Sequence, residues 1–281
     1  MTATGRHRTR SRVEGSGRNR ERRAHAGLSR ARFQQRSKPW GLLRSFLACL
    51  GLLGLASAGR AGSYKVITVS NGGTIEGVVK LAGTAPALGS LQITKNEDYC
   101  GASLPNPLYD VGHDSGLKNA QVFLKSIARG KANPGGTIVL ENVHCTFVPR
   151  VQGASVGQRI RIASSDLILH TTHPQIAATN ATLYNIALPY KGFSLTRPLP
   201  PTPQLLRVKC DAHEWMRAWI WEFDHPYYAT TDDSGRFKIT DVPPGTYTVV
   251  AWHEVMGERE AEVTIAPGRP STLEFSFTPK P

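Results

Sequence analysis

Leu205-Leu206-Arg207-Val208-Lys209-Cys210-Asp211-Ala212-His213-Glu214-Trp215-Met216 is the stretch on which the reading of this chain turns. Its first half alternates apolar Leu206 and Val208 with charged Arg207 and Lys209, the two-residue period of a half-buried strand. Cys210 shares the parity of Leu206 and Val208, so it enters the core face as the strand ends. Its second half places Cys210, His213 and Met216 within seven residues, close enough for one tight loop to wrap a single ion.

A fourth donor of matching chemistry lies upstream. Gln158-Arg159-Ile160-Arg161-Ile162 alternates in the same way, and His170 has the parity of Ile160 and Ile162 across the Ser164-Ser165-Asp166 interruption. The expectation is two strand ends that present His170 and Cys210 inward. Two imidazoles and a thiolate in a plane, with a thioether on the axis, are the ligands of a blue-copper electron-transfer site. The predicted set is therefore His170, Cys210, His213 and Met216 around one type 1 copper ion.

Zinc is a rival, with His170, His173, Cys210 and His213 as four tetrahedral ligands. Residues three apart in an extended segment face opposite sides, however, and Met216 would have no role. With four protein ligands no coordination position stays open, which argues against an enzyme. His213, carried on the loop, is expected to reach the surface as the electron port. Asp166 and Asp211 are expected to brace the site by accepting backbone hydrogen bonds, with Thr171 and Trp215 packed around the ligands. His225, His253 and Glu254 form a looser set, for which Trp252 in the core with His253 and Glu254 outside is the plain reading.

These residues resemble a cupredoxin, and the Cys-x2-His-x2-Met loop is similar to the short copper loop of the amicyanin type. More broadly, residues from Gly73 to Phe277 resemble bacterial periplasmic proteins, described as methylamine-utilisation-like, that join a cupredoxin to a carboxypeptidase-regulatory-like β-domain. The shared stretches include Cys-Asp-x-His-x-Trp-Met at 210–216, Asp224-His225-Pro226-Tyr227, Asp233-Ser234-Gly235-Arg236-Phe237, Pro243-Pro244-Gly245-Thr246-Tyr247 and Ala251-Trp252-His253-Glu254. The resemblance implies redox partner proteins in the periplasm. Thr171 stands where cupredoxins usually carry Asn, the residue that braces the first ligand His to the Cys loop.

Beyond residue 60, short alternating runs are broken by Gly, Pro, Asn and Asp, the pattern of an all-β chain. The fold class that follows is a cupredoxin Greek-key β-sandwich plus a smaller transthyretin/carboxypeptidase-regulatory-like β-sandwich. Residues 64–224 are expected to form the first and 225–281 the second. Some 55 residues make a thin core, so the strands near 74–81 and 120–124 are candidates for sharing with the second. Residues 85–118 are rich in turn formers and predict a long loop, with a short helix near Asn96. Trp219, Trp221 and Phe223 share one face of a strand that Met216, Ala218 and Ile220 line on the other. Those aromatics either pack on the second sandwich or fill a larger single core.

The formal net charge of +13 raises a nucleic-acid partner. Residues 1–58 carry 13 Lys and Arg against 2 Asp and Glu, and the remainder 21 against 19, so the excess sits in the leader. Nucleic-acid binding thereby loses its electrostatic support. Within the leader, Arg44 closes a basic stretch, Phe46 to Leu55 is an apolar run too short to span a bilayer, and Ala56-Ser57-Ala58 offers a small-residue cleavage site. The expectation is a signal peptide cleaved after Ala58, a periplasmic or secreted location and no stable membrane span after cleavage. Of the four cysteines, Cys49 leaves with the signal and Cys210 goes to the metal. Cys100 and Cys145 are left to form a disulfide. Two other readings stay open: a non-redox periplasmic binding or structural β-module, and a copper storage or delivery protein.

Overall fold

The computed structural model describes residues 63–280. The expected leader and its cleavage site at Ala58, with Cys49, lie outside the described residues. Among the described residues no helix is long and apolar enough to cross a membrane. The described chain is almost entirely β, arranged as four main sheets that form two sandwiches.

The first sandwich contains the predicted ligands. One of its sheets runs in the order Ser194–Pro198, Arg159–Ser164, Thr137–Val143, Thr146–Val148. The other runs Ile186–Leu188, His170–Ile176, Gln204–Lys209, Arg217–Phe223, Val151–Ser155. Alternation decides which side chains meet between them. Ile160 and Ile162 from one sheet face Leu206, Val208, Ala218 and Ile220 from the other, with Leu140, Phe147 and Leu188 filling the same core. Cys210 and Met216 belong to that core as well, at 2 % exposure each.

One expectation about register changes. His170 does not continue the phase of Ile160 and Ile162, because Arg159–Ser164 ends in one sheet and His170–Ile176 begins in the other. His170 is inward because it opens a new strand, paired with Leu188. In the antiparallel pairing of this strand with Gln204–Lys209, His173 lies opposite Lys209. The start of one strand and the end of the other therefore coincide at the sandwich rim.

The second sandwich draws on the whole length of the chain. Its sheets are ordered Tyr228–Thr230, Gln121–Leu124, Gly245–His253, Gly257–Ile265 and Arg236–Val242, Gly73–Leu81, Pro270–Phe277. By hydrogen bonding, the strands at 73–81 and 121–124 thus sit among C-terminal ones. Their burial explains it. Ile75, Val79, Val122 and Leu124 are fully buried against Phe237, Val249, Ile265 and Phe277, giving the short C-terminal segment the apolar surface it lacks alone.

The two sandwiches meet through aromatics. Trp221 lies 5.0 Å from Phe123 and 5.7 Å from Trp252, and Trp219 lies 5.5 Å from Trp252, measured between ring centroids. The outward face of Arg217–Phe223 therefore packs on the second sandwich. Gly153 makes room at this seam, since a Cβ there would fall 2.3 Å from the Tyr228 ring.

Residues 85–118 form the expected irregular insert. It contains the short helix Glu97–Cys100, and the Cys100–Cys145 disulfide fastens it to the first sandwich. Around that bond, Ile93, Tyr99, Leu104, Ile168 and Trp215 pack as a small separate cluster.

A candidate metal centre at the sandwich rim

His170 and His213 are fully buried, and the structure brings both to Cys210. Cys210 Sγ lies 4.0 Å from His170 Nδ1 and 3.7 Å from His213 Nδ1, while the two Nδ1 atoms are 3.0 Å apart. The outer nitrogens are committed elsewhere. His170 Nε2 donates to the Asp166 carboxylate at 2.8 Å, and His213 Nε2 donates to Asn96 Oδ1 at 2.9 Å.

A neutral imidazole carries one N–H, so each ring is left with a bare lone pair on Nδ1. Burial holds the His170 imidazole below its usual pKa, against the opposing pull of Asp166. Burial, with His170 and Lys95 adding to it, brings His213 down to about 4. Both rings are neutral at pH 7. With both outer nitrogens donating, no N–H lies between the two Nδ1 atoms, which stand 3.0 Å apart beside the buried Cys210 thiol.

That arrangement fits a soft cation. A bound ion sits about 2.0–2.1 Å from imidazole nitrogen and about 2.3 Å from thiolate sulfur, so each observed separation is shorter than the sum of two such bonds. Met216 completes the neighbourhood. It is buried in the same apolar cluster as Cys210, and its amide donates to the His213 carbonyl at 3.1 Å.

Thr171 occupies the bracing position. Its backbone N–H lies 3.2 Å from Cys210 Sγ and its hydroxyl 3.7 Å from the same sulfur. The hydroxyl also accepts the Asp211 N–H at 2.7 Å, tying the His170 strand to the Cys210 loop. Asp166 accepts the backbone N–H groups of His144 at 2.7 Å and Cys145 at 2.9 Å. Trp215 packs its ring, tilted by 50°, 4.9 Å from that of His213 and donates its indole N–H to the Cys145 carbonyl at 3.0 Å.

Several expectations change. Asp211 accepts from side chains as well as neighbouring the Thr171 contact: His173 Nδ1 at 2.9 Å, Asn185 at 2.6 Å and Lys209 at 3.2 Å. Although its partial burial pushes the other way, the bonds from His173 and Lys209 hold its carboxyl below the ordinary range. His173 therefore turns away from the ligand cluster, toward Asp211 and Thr182, and supplies no fourth zinc ligand. His213 does not reach the surface, because the insert lays Asn96 over its outer nitrogen.

Nor are His253 and Glu254 outside. His253 is 2 % exposed and its ring centroid lies 6.1 Å from that of Tyr109. Glu254 takes the Arg150 guanidinium on both oxygens, at 2.7 and 2.9 Å, and the Trp219 indole N–H at 2.9 Å, latching one sandwich to the other. His225 is buried, with Nε2 3.0 Å from the Leu124 carbonyl and Nδ1 accepting the Tyr227 N–H.

Asn96 is the functional residue that sequence reasoning missed. It sits in the left-handed region at φ 56°, which Asn tolerates better than most residues, and thereby starts the helix and aims its amide at His213. Its 117-residue separation from His213 leaves no local pattern to find.

No curated protein sequence matches the chain. Among solved structures, the chain is similar to amicyanin from Paracoccus versutus at 9 % identity, over 31 % of this chain and 81 % of that one, with a TM-score of 0.28. It is similar to a purple cupredoxin from Nitrosopumilus maritimus at 14 % identity, over 31 % and 99 %, with a TM-score of 0.27. A Cu-containing nitrite reductase from Thermus scotoductus is similar at 14 % identity, over 36 % of this chain but 25 % of that one, with a TM-score of 0.26. Residues 223–278 match the carboxypeptidase regulatory-like domain, and the structural neighbours of the chain are amicyanin and other cupredoxins.

Proposed function

We propose that this protein binds one copper ion, which His170, Cys210 and His213 would hold with Met216 as a weaker donor, and relays single electrons. The observation that carries the proposal is the convergence of the two Nδ1 atoms, 3.0 Å apart, beside the buried Cys210 thiol. Bound copper would supply one-electron redox chemistry, tuned by the Cys210 thiolate and the Met216 thioether.

The chain's own residues do the rest. Asp166 fixes the His170 tautomer from behind, and Asn96 does the same for His213. Thr171 holds the thiol with one N–H and one hydroxyl, so the loop does not relax when charge changes. Full burial of both rings excludes water, which lowers the reorganisation that an electron arriving or leaving would cause. We read the protein as a carrier and not an enzyme, because four protein donors leave no position for substrate.

Export to an oxidising compartment is part of the proposal, as is redox exchange with partner proteins there. The apolar run at 46–55 ahead of Ala56-Ser57-Ala58 supports it, as does the disulfide between Cys100 and Cys145.

Titration of the purified protein with Cu(II), followed by visible absorption, tests this reading. Intense colour from a copper–thiolate bond, saturating at one ion and lost in Cys210→Ala, is expected. Tight Cu(I) binding without colour would favour storage or delivery, and no copper binding would leave a non-redox β-module.

A further inference from the structure

A cavity of about 400 Å³ opens beside the ligand loop and shares Met216 with it. Leu91 and Leu104 from the fastened insert, Phe147 and Val148 from the first sandwich, and Trp215 and Met216 from the ligand loop line it. Val148 is 48 % exposed, an aliphatic side chain left in water at the lining. A volume of this size and mostly apolar walls are the features of a small-molecule site.

Charge at the lining is uneven. Lys118 is paired with Asp233 at 2.5 Å and with Asp110, a carboxylate that also lines the cavity, at 3.9 Å, and the Arg150 guanidinium is held by Glu254. Arg217 also lines the cavity, is exposed, and enters no salt bridge among the described residues. One uncommitted guanidinium beside an indole and a thioether selects a flat apolar molecule with a single anionic group. A guanidinium fork matches a carboxylate through two parallel hydrogen bonds, and the apolar lining rewards burial of a ring system. Bare phosphate finds too few free donors here.

We propose that this cavity binds a small aromatic carboxylate, its rings over Trp215 and Met216 and its carboxylate on Arg217. The proposal goes beyond the copper reading and does not rest on it, because the cavity walls are protein alone. Occupancy is nevertheless felt at the candidate metal centre, since the Trp215 ring packs against His213 and the Met216 amide donates to the His213 carbonyl.

Calorimetric titration of 2-naphthoate into the protein, both metal-free and copper-loaded, is the test, with neutral naphthalen-2-ylmethanol run alongside. Saturable one-to-one binding of naphthoate is expected in both forms. Arg217→Gln, a change at an exposed side chain, should weaken it about tenfold and leave the alcohol unaffected, and Val148→Trp should block both. Absence of saturable binding to the folded wild-type protein would overturn the site. Equal naphthoate affinity in wild type and Arg217→Gln would overturn the anion assignment, and unchanged binding in Val148→Trp would overturn the location.

Discussion

The Asp166 carboxylate stands 2.8 Å from Nε2 of His170 and also takes the backbone N–H groups of His144 and Cys145. One side chain thus sets the His170 tautomer and ties that ring to the residue that fastens the insert. Asp166→Asn keeps the shape but removes the charge that holds the His170 N–H outward. Copper affinity should fall about 10–100-fold, the usual effect of losing such a partner. Competition with a chromophoric chelator measures it, and unchanged affinity with native circular dichroism would contradict the role.

Thr171 replaces the expected Asn brace with a shorter side chain that still reaches both targets, Cys210 Sγ and the Asp211 N–H. Thr171→Val preserves the volume and removes the hydroxyl. Loss of the Asp211 bond should cost about 1–2 kcal/mol in denaturant melts, and the copper–thiolate absorption should shift. A variant with wild-type stability and spectrum would show that the backbone N–H alone suffices.

The seam between the sandwiches depends on Glu254 as much as on its aromatics. Its carboxylate, nearly buried, neutralises Arg150 and accepts from Trp219. Glu254→Ala strands a guanidinium that is itself only 13 % exposed, so a loss of about 3–5 kcal/mol is expected. Removing both partners in Arg150→Met/Glu254→Leu should recover much of it, and additivity in that cycle would refute the latch.

Glu222 behaves differently. Burial pushes its carboxyl up to about 8, against the opposing effect of Gln204 across the strand pair, and its two oxygens lack hydrogen-bond partners. The folded protein therefore holds a proton that the unfolded chain releases near pH 4.5. Stability should be complete in this respect below pH 4.5 and decline as pH rises toward 8. The full loss is on the order of 4 kcal/mol. Thermal melts of Glu222→Gln across that range should lack the decline and exceed wild type at pH 8; parallel curves would contradict the assignment.

The Cys100–Cys145 bond closes a loop across a separation of 45 residues. Loop-closure entropy gives it about 4 kcal/mol of stabilisation. Cys100→Ser/Cys145→Ser should lose an amount of that order and should also expose His213, because Asn96 adjoins the helix that ends at Cys100. Faster copper exchange with a chelator would report the exposure, and unaltered exchange would mean the insert holds its place without the bond.

Much of this architecture was legible because strand alternation is local. Leu206, Val208 and Cys210 announce one inward face, and the double-sided Arg217–Phe223 strand announces two covered faces. Seven residues sufficed to place Cys210, His213 and Met216 on one loop. His170 was found through a parity that proved accidental, since the chain changes sheets before it. What stayed hidden depends on contacts distant in sequence. The Asn96 cover over His213, the burial of His253 and the Arg150–Glu254 latch all span about a hundred residues or involve the insert. Residue type gave no sign of these, because a charged Glu254 reads as surface until a guanidinium and an indole meet it.

X-ray absorption at the copper edge of the loaded protein bears most directly on the central claim, that His170, Cys210 and His213 close around one ion. The account predicts one short sulfur and two imidazole nitrogens in the first coordination sphere, with the sulfur lost in Cys210→Ala and one nitrogen lost in His170→Ala. A shell of nitrogen and oxygen alone, unchanged by either substitution, would contradict it.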